Sequence, residues 1–230
     1  MLSNKTKMLR LSALSLAVAG AMSFSHAASA EGVDVSGSVG VANMYLWRGY
    51  DLGAGNSSTA GLAAVSGDLK ASYEGAYAGV WGSSGDAAYG TEYDLYVGYG
   101  AEFSGVSVDL SVWTYEYPSA SIADGLEHKR DFANLSEAIL SVGYAGLTAT
   151  VYDNITGGTG YEYYTLAYSY DAFTILVGKH DFVGADDMTH VDLSYAYNDN
   201  LTFTVSQQVD NSDDGDRAKF VASYSLPIGD

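Results

Sequence analysis

Two-residue alternation dominates the chain beyond its first thirty residues. Val106, Val108, Leu110 and Val112 alternate with Ser107, Asp109, Ser111 and Trp113. Tyr93, Leu95, Val97 and Tyr99 alternate with Glu92, Asp94, Tyr96 and Gly98, and Val191, Leu193, Tyr195 and Tyr197 with His190, Asp192, Ser194 and Ala196. Successive side chains of a strand point to opposite faces, so each run is a strand with one apolar and one polar face. The pattern predicts about twelve strands, over 32–49, 59–73, 76–83, 89–100, 106–117, 134–144, 147–153, 161–170, 173–182, 189–197, 201–209 and 217–226. No segment after residue 30 reads as an uninterrupted apolar helix of membrane-spanning length.

The connections alternate in length. Glu74-Gly75, Ala145-Gly146, Asp171-Ala172 and Asn198-Asp199-Asn200 read as tight hairpin turns, with Ala101 to Gly105 slightly longer. The others, 50–58, 84–88, 118–133, 154–160, 183–188 and 210–216, are longer, polar and acidic. Tyr73, Tyr99, Tyr144, Tyr170 and Tyr197 each stand just before a short turn, and Tyr224 lies near the chain end. Rings at one level form an aromatic girdle, with Tyr45, Trp47, Tyr89, Tyr93 and Tyr164 expected in the opposite one. The fold class predicted is therefore all-β: a transmembrane antiparallel up-and-down barrel with short periplasmic turns and longer extracellular loops. A soluble β-sandwich also alternates, but gives no reason for a girdle or for asymmetric loops. On the outward faces the polar exceptions Glu116, Lys179 and Gln207 fall near loop-side strand ends, where charge costs little. Asn43 fits only as a bulge near Gly40.

Composition sharpens this picture. Lys5, Lys7 and Arg10 precede the small and apolar run Leu11 to Phe24, and Ala28-Ser29-Ala30 fits a small-residue cleavage site. Residues 1–30 thus read as a cleaved secretory signal peptide and 31–230 as the barrel. With 10 Lys+Arg and 28 Asp+Glu in all, and three of the bases in the signal, the mature chain carries 7 − 28 = −21. Such a chain repels nucleic acid and attracts cations. There is no cysteine, which excludes disulfide and thiolate chemistry.

Five stretches in order, "NMYLWRG" (43–49), "GAYAGVWGSS" (75–84), "TEYDLYVGYG" (91–100), "YEYP" (115–118) and "SEAILSVGYAGL" (136–147), resemble the TorF porin family. The resemblance runs from about Val33 to the C-terminus. It implies a secreted outer-membrane barrel of porin type, and implies little about substrate. The last strand alternates through Phe220, Ala222, Tyr224 and Leu226, like the closing strand that barrel-assembly machinery reads. It departs from that pattern by continuing through Pro227-Ile228-Gly229-Asp230.

The polar phases predict the lumen. It would hold Asp34, Arg48, Asp68, Lys70, Glu92, Asp94, Asp109, Glu137, Asp192 and Lys219, seven acids against three bases, with His180 and His190. Tyr77, Trp81, Trp113, Tyr115 and Tyr117 share that face. Strand direction puts Arg48, Glu92, Asp94, Tyr115, Tyr117, Glu137 and Asp192 in the outer half. These residues and Trp81 are the candidate pore-lining set. Arg48 would face Glu92, Asp94 or Glu137 and form a charged constriction, or the same charges would pair simply to fill the barrel. The inward aromatics would stack on sugars or pack the lumen.

Other motifs add little. "DNSDDGD" (210–216) begins like a calcium loop, but Val221 stands where the twelfth-position Glu is required. Four glycosylation-type triplets are out of place in a bacterial barrel. His190 and Asp192 share a face, but no G-x-S-x-G accompanies them and no metal-ligand spacing appears, so neither an enzyme nor a cofactor is expected. The sequence points to an outer-membrane channel for small solutes favouring cations, with a non-conducting barrel acting through its loops as the alternative. Its expected partners are outer-membrane lipid, small solutes or cations, and the assembly machinery.

Overall fold

A computed structural model describes residues 29–30, 32–53, 62–118, 132–158, 160–210 and 217–228. The strands of the wall are β1 (Val33–Ala42), β2 (Ala64–Tyr73), β3 (Ala76–Asp86), β4 (Gly90–Phe103), β5 (Val106–Glu116), β6 (Ser136–Tyr144), β7 (Leu147–Thr156), β8 (Glu162–Tyr170), β9 (Phe173–Asp181), β10 (Met188–Ala196), β11 (Leu201–Asp210) and β12 (Lys219–Ile228). Each pairs antiparallel with its chain neighbours. β1 also pairs with β12, from Gly37↔Ile228 to Ala42↔Ser223, so the sheet closes into a 12-stranded barrel. Closure removes the unpaired edges that no strand can leave exposed to lipid. Ser29–Ala30 adds a short ladder against Val33 and Asp34.

The apolar phases face outward, as alternation predicts. Leu69, Val97, Leu110, Leu140, Leu166, Ile175, Leu193 and Phe220 are all exposed. So are Tyr73, Tyr99, Tyr144, Tyr170, Tyr197 and Tyr224, which ring the short-turn end. This is the surface of a transmembrane barrel.

Tight turns set the register. Glu74-Gly75, Ser104-Gly105 and Ala145-Gly146 have positive φ at both residues, as a two-residue hairpin matched to strand twist requires. The turn expected over Ala101 to Gly105 is therefore two residues long, because β4 runs on to Phe103. The connection expected over 84–88 is also short. β3 continues to Asp86, whose Oδ1 accepts from the backbone of Ala88 and Tyr89 at 2.7 Å each. Most of loop 118–133 and residues 211–216 of the acidic motif lie outside the described residues, as does nearly all of the signal segment.

The first strand departs from expectation. It stops at Ala42 rather than running to residue 49, and residues 43–53 fold into the barrel. Asn43 makes the exit. Its backbone amide still reaches Ala222 O at 3.3 Å, its side-chain Nδ2 donates to Phe220 O at 3.0 Å, and its Oδ1 accepts from Ala222 N at 2.7 Å. The side-chain amide thus stands in for the ladder bonds that the departing backbone gives up. The residue expected to mark a bulge is a cap on the edge of β12, and the pairing of β1 before it is unbroken.

Inside the barrel, large and small residues are matched across strands. Tyr96 lies against Gly79 and Tyr77 against Gly98, both pairs in direct register. Tyr96 donates to Asp68 at 2.7 Å and Tyr77 to Asp109 at 2.9 Å, while Trp113 stacks on Tyr96 at 4.2 Å. A Cβ on Gly79 would lie 2.6 Å from the Leu69 carbonyl oxygen as well as on the Tyr96 ring, whereas on Gly82 its nearest neighbour is 3.4 Å away. Gly79→Ala should therefore cost about 1–3 kcal/mol, read as a lower temperature for loss of the folded band on gels. Gly82→Ala should leave that temperature unchanged.

Candidate functional site

The inward segment is a small hairpin. Leu46 pairs with Asp51 and Trp47 with Tyr50, around a turn of Arg48 (φ 48) and Gly49 (φ 86). A Cβ on Gly49 would come within 2.7 Å of the His190 ring, so this position needs glycine for both backbone and space. Met44 and Leu46 bury beside Ala42 and Val221, fixing the hairpin's root. Tyr45 was expected in the outer girdle. It is 1% exposed inside the lumen and donates a short hydrogen bond to Glu92. Trp47, expected in the same girdle, packs inward against His180 at 5.9 Å. The cause in both cases is the early exit of the chain at Asn43, which ends the alternation that had been extended through them.

Arg48 sits at the tip and is 5% exposed. Nη1 and Nη2 donate to Glu137 Oε1 and Oε2 at 2.9 and 2.5 Å, a bidentate pair. Its Cζ lies 4.7, 4.4 and 4.6 Å from the rings of Trp47, Tyr152 and Tyr163, with Tyr161 at 6.0 Å. Rings over a guanidinium offer their negative faces to it. Nη1 also reaches the Tyr161 hydroxyl at 3.2 Å, and Tyr115 donates to Glu137 Oε2 at 2.7 Å. The carbonyl of Arg48 accepts from His180 Nε2 at 2.8 Å, and that of Gly49 from Gln208 at 3.1 Å. A carbonyl only accepts, so His180 carries its proton on Nε2, and Nδ1 accepts from Tyr161 at 2.7 Å.

The other predicted residues gather around this hairpin. Tyr117 donates to Glu92 Oε1 at 2.7 Å, so two hydroxyls answer that carboxylate. Asp94 is in register with Trp81 on one side and Tyr115 on the other, is 3% exposed, and its Oδ1 has no hydrogen-bond partner among the described residues. Trp81 is half-buried, 6.3 Å from the Tyr45 ring. Asp192, on β10, lies one same-face step from His190 and accepts from its Nδ1 at 2.9 Å. Of the three carboxylates offered as partners for Arg48, the pairing is with Glu137. Glu116 points outward as expected, yet is covered: it accepts from Ala133 N at 2.8 Å and from Thr114 at 3.1 Å. Lys179 pairs outside with Asp187 at 2.8 Å.

Tyr45, Tyr152, Tyr161 and Tyr163 are the functional residues that sequence reasoning passed over. A signal for two of them was present: Tyr152 shares the phase of Thr148 and Thr150, and Tyr163 that of Thr165. Tyr163 also holds the place a nucleophile would need. Its hydroxyl stands 2.8 Å from His190 Nε2, with Asp192 behind. Tyr163 is 1% and His190 0% exposed, so this hydroxyl–imidazole–carboxylate row is sealed in the packing. Among the described residues no group of His, Asp and Glu could hold a metal ion.

A closed antiparallel barrel with an apolar outer belt and a charged, tyrosine-lined interior defines the class: a porin-like transmembrane β-barrel. The chain belongs to the Gcw_chp family, bacterial proteins of unknown function, whose model matches residues 11–212. No curated protein matches the sequence. Among solved structures it is similar to the KdgM porin, at 9% identity and TM-score 0.44 over 85% of this chain and 98% of that one. It is also similar to the outer membrane phospholipase A of Escherichia coli, at 12% and 0.43 over 85% and 90%. A multiply substituted Rh. blastica porin gives 15% and 0.42 over 86% and 75%. These likenesses concern barrel architecture alone.

Removing Glu137 leaves a buried guanidinium without its counter-charge. Glu137→Ala should cost about 3–5 kcal/mol, against about 2 kcal/mol for Tyr161→Phe, which loses the hydrogen bonds to Arg48 and His180. Urea unfolding of the two variants in detergent checks this. Equal losses would show that Glu137 does not anchor Arg48.

Proposed function

We propose that this protein is an outer-membrane channel for small solutes, favouring cations, with the inward hairpin as its constriction. The supporting observation is the layer across the lumen at the long-loop end. There four acids, Glu92, Asp94, Glu137 and Asp192, meet two cations, Arg48 and Lys219, the latter in register with Ser206 beside Asp192. Arg48 is committed to Glu137, and the Glu92 carboxylate accepts from the hydroxyls of Tyr45 and Tyr117. A buried carboxylate such as Asp94 draws a cation or a proton to itself, so a passing cation is stabilised there and an anion repelled. On this reading a cleaved signal directs export, the short turns are periplasmic and the long loops extracellular. The protein works without cofactor or covalent chemistry, since the Tyr163–His190–Asp192 row has no access to substrate.

A second reading is favoured by the depth of packing around the hairpin. Tyr45, Tyr152, Tyr163, His180 and His190 are all fully buried. A barrel filled to this degree also suits a non-conducting role carried by its outer loops.

Planar-bilayer recording separates the two. The channel reading expects stepwise conductance with a reversal potential on the cation side under a salt gradient. Asp94→Asn should move that potential toward zero. Arg48→Ala should change conductance or selectivity while the barrel still folds. Absence of steps, or an Arg48→Ala protein that loses only heat resistance, would leave the loop-acting barrel.

A further inference from the structure

The cage around Arg48 does not belong to the hairpin that fills it. Glu137 comes from β6, Tyr152 from β7, Tyr163 from β8 and Tyr161 from the residue preceding β8; only Trp47 travels with Arg48. The wall parts are held by partners of their own. Tyr115 of β5 fixes the Glu137 carboxylate, His190 of β10 fixes the Tyr163 hydroxyl, and the rings of Tyr152 and Tyr163 pack at 5.2 Å. Withdrawal of the hairpin would therefore leave a preformed recess: one carboxylate presented edge-on and rings lining its sides.

That recess selects by shape as well as charge. A guanidinium is flat, forks two donors toward a carboxylate and stacks on aromatic faces. An ammonium has neither the fork nor the flat face. Arg48 itself occupies the recess from a left-handed backbone, φ 48, which a side chain other than glycine adopts at a cost.

We propose that this cage is a binding site for the guanidinium group of a solute, and that Arg48 is its tethered occupant. A guanidinium-bearing solute that takes the place of Arg48 releases the hairpin from the lumen. The release step rests on the channel reading; the binding step does not. The coupling follows from mass action, since a ligand that binds only when the hairpin is out shifts the barrel toward that state.

The test uses methylguanidinium chloride, with tetramethylammonium chloride at equal ionic strength as control. Arg48→Ala barrel in detergent should unfold at a lower temperature than wild type. Millimolar methylguanidinium should restore much of the loss, and tetramethylammonium should not. Equal effects of the two cations would overturn the site. If Arg48→Ala does not fold, Arg48→Gln carries the same titration. Refolding of either variant only when methylguanidinium is present supports the site, and failure with and without it counts against the site. In wild-type bilayers methylguanidinium should raise the current several-fold. Thermal rescue of the variant with no wild-type current at all would uphold the site and overturn the channel reading instead.

Discussion

The structure turns on one charge placed where charge is costly. A guanidinium cannot shed its proton, so once Arg48 is carried into the barrel everything near it must answer. Glu137 supplies the counter-charge through two bonds, Tyr115 holds Glu137, and Tyr161 links Arg48 to His180. His180 in turn holds the backbone of Arg48. The contacts through Tyr161 and His180 return to their starting residue, so the Arg48 side chain and backbone are held by one ring of hydrogen bonds. Gln208 and His190 close the same arrangement around Gly49.

Much of this was legible because alternation is a rigid code. Once the apolar phase of a strand is known, every other residue of that strand is placed. This is why Glu92, Asp94, Tyr115, Tyr117, Glu137, His190 and Asp192 come out on the interior and why the six tyrosines come out at one level. The code fails where a strand stops. Met44, Leu46 and Tyr45, Trp47 continue the alternation by composition, but the chain has already left the wall at Asn43. The corrective signal was in the sequence. Arg48-Gly49 has the same form as Glu74-Gly75, Ser104-Gly105 and Ala145-Gly146, an L residue and a glycine both at positive φ, and so marks a turn. The partner of Arg48 was not legible, since it depends on how far the hairpin reaches across the lumen, which local periodicity does not encode.

The two ends of the lumen are filled by different means. Toward the short turns, single tyrosines lie over glycines of the neighbouring strand and reach isolated carboxylates, Tyr77 to Asp109 and Tyr96 to Asp68. Each such hydrogen bond crosses one intervening strand, from β4 to β2 or from β3 to β5, and needs nothing from the first loop. At the other end the bonds cross between strands far apart in sequence, from Arg48 to Glu137 and from His180 back to Arg48. The wall can thus form and close by local pairings, with the hairpin seated afterwards.

An ion pair is a poor choice for a permanent filler. Desolvating both charges offsets most of their attraction, and apolar side chains of similar volume stabilise a packed interior at least as well. The lumen already contains apolar filling, in Ile139 beside Tyr152 and Tyr163, and the root of the hairpin is held by Met44 and Leu46. The guanidinium sits at the tip. A segment with an apolar root and a charged tip stays attached at one end while the other exchanges partners at a cost close to the differential affinity of those partners. On the channel reading, that division of labour is what a movable constriction requires.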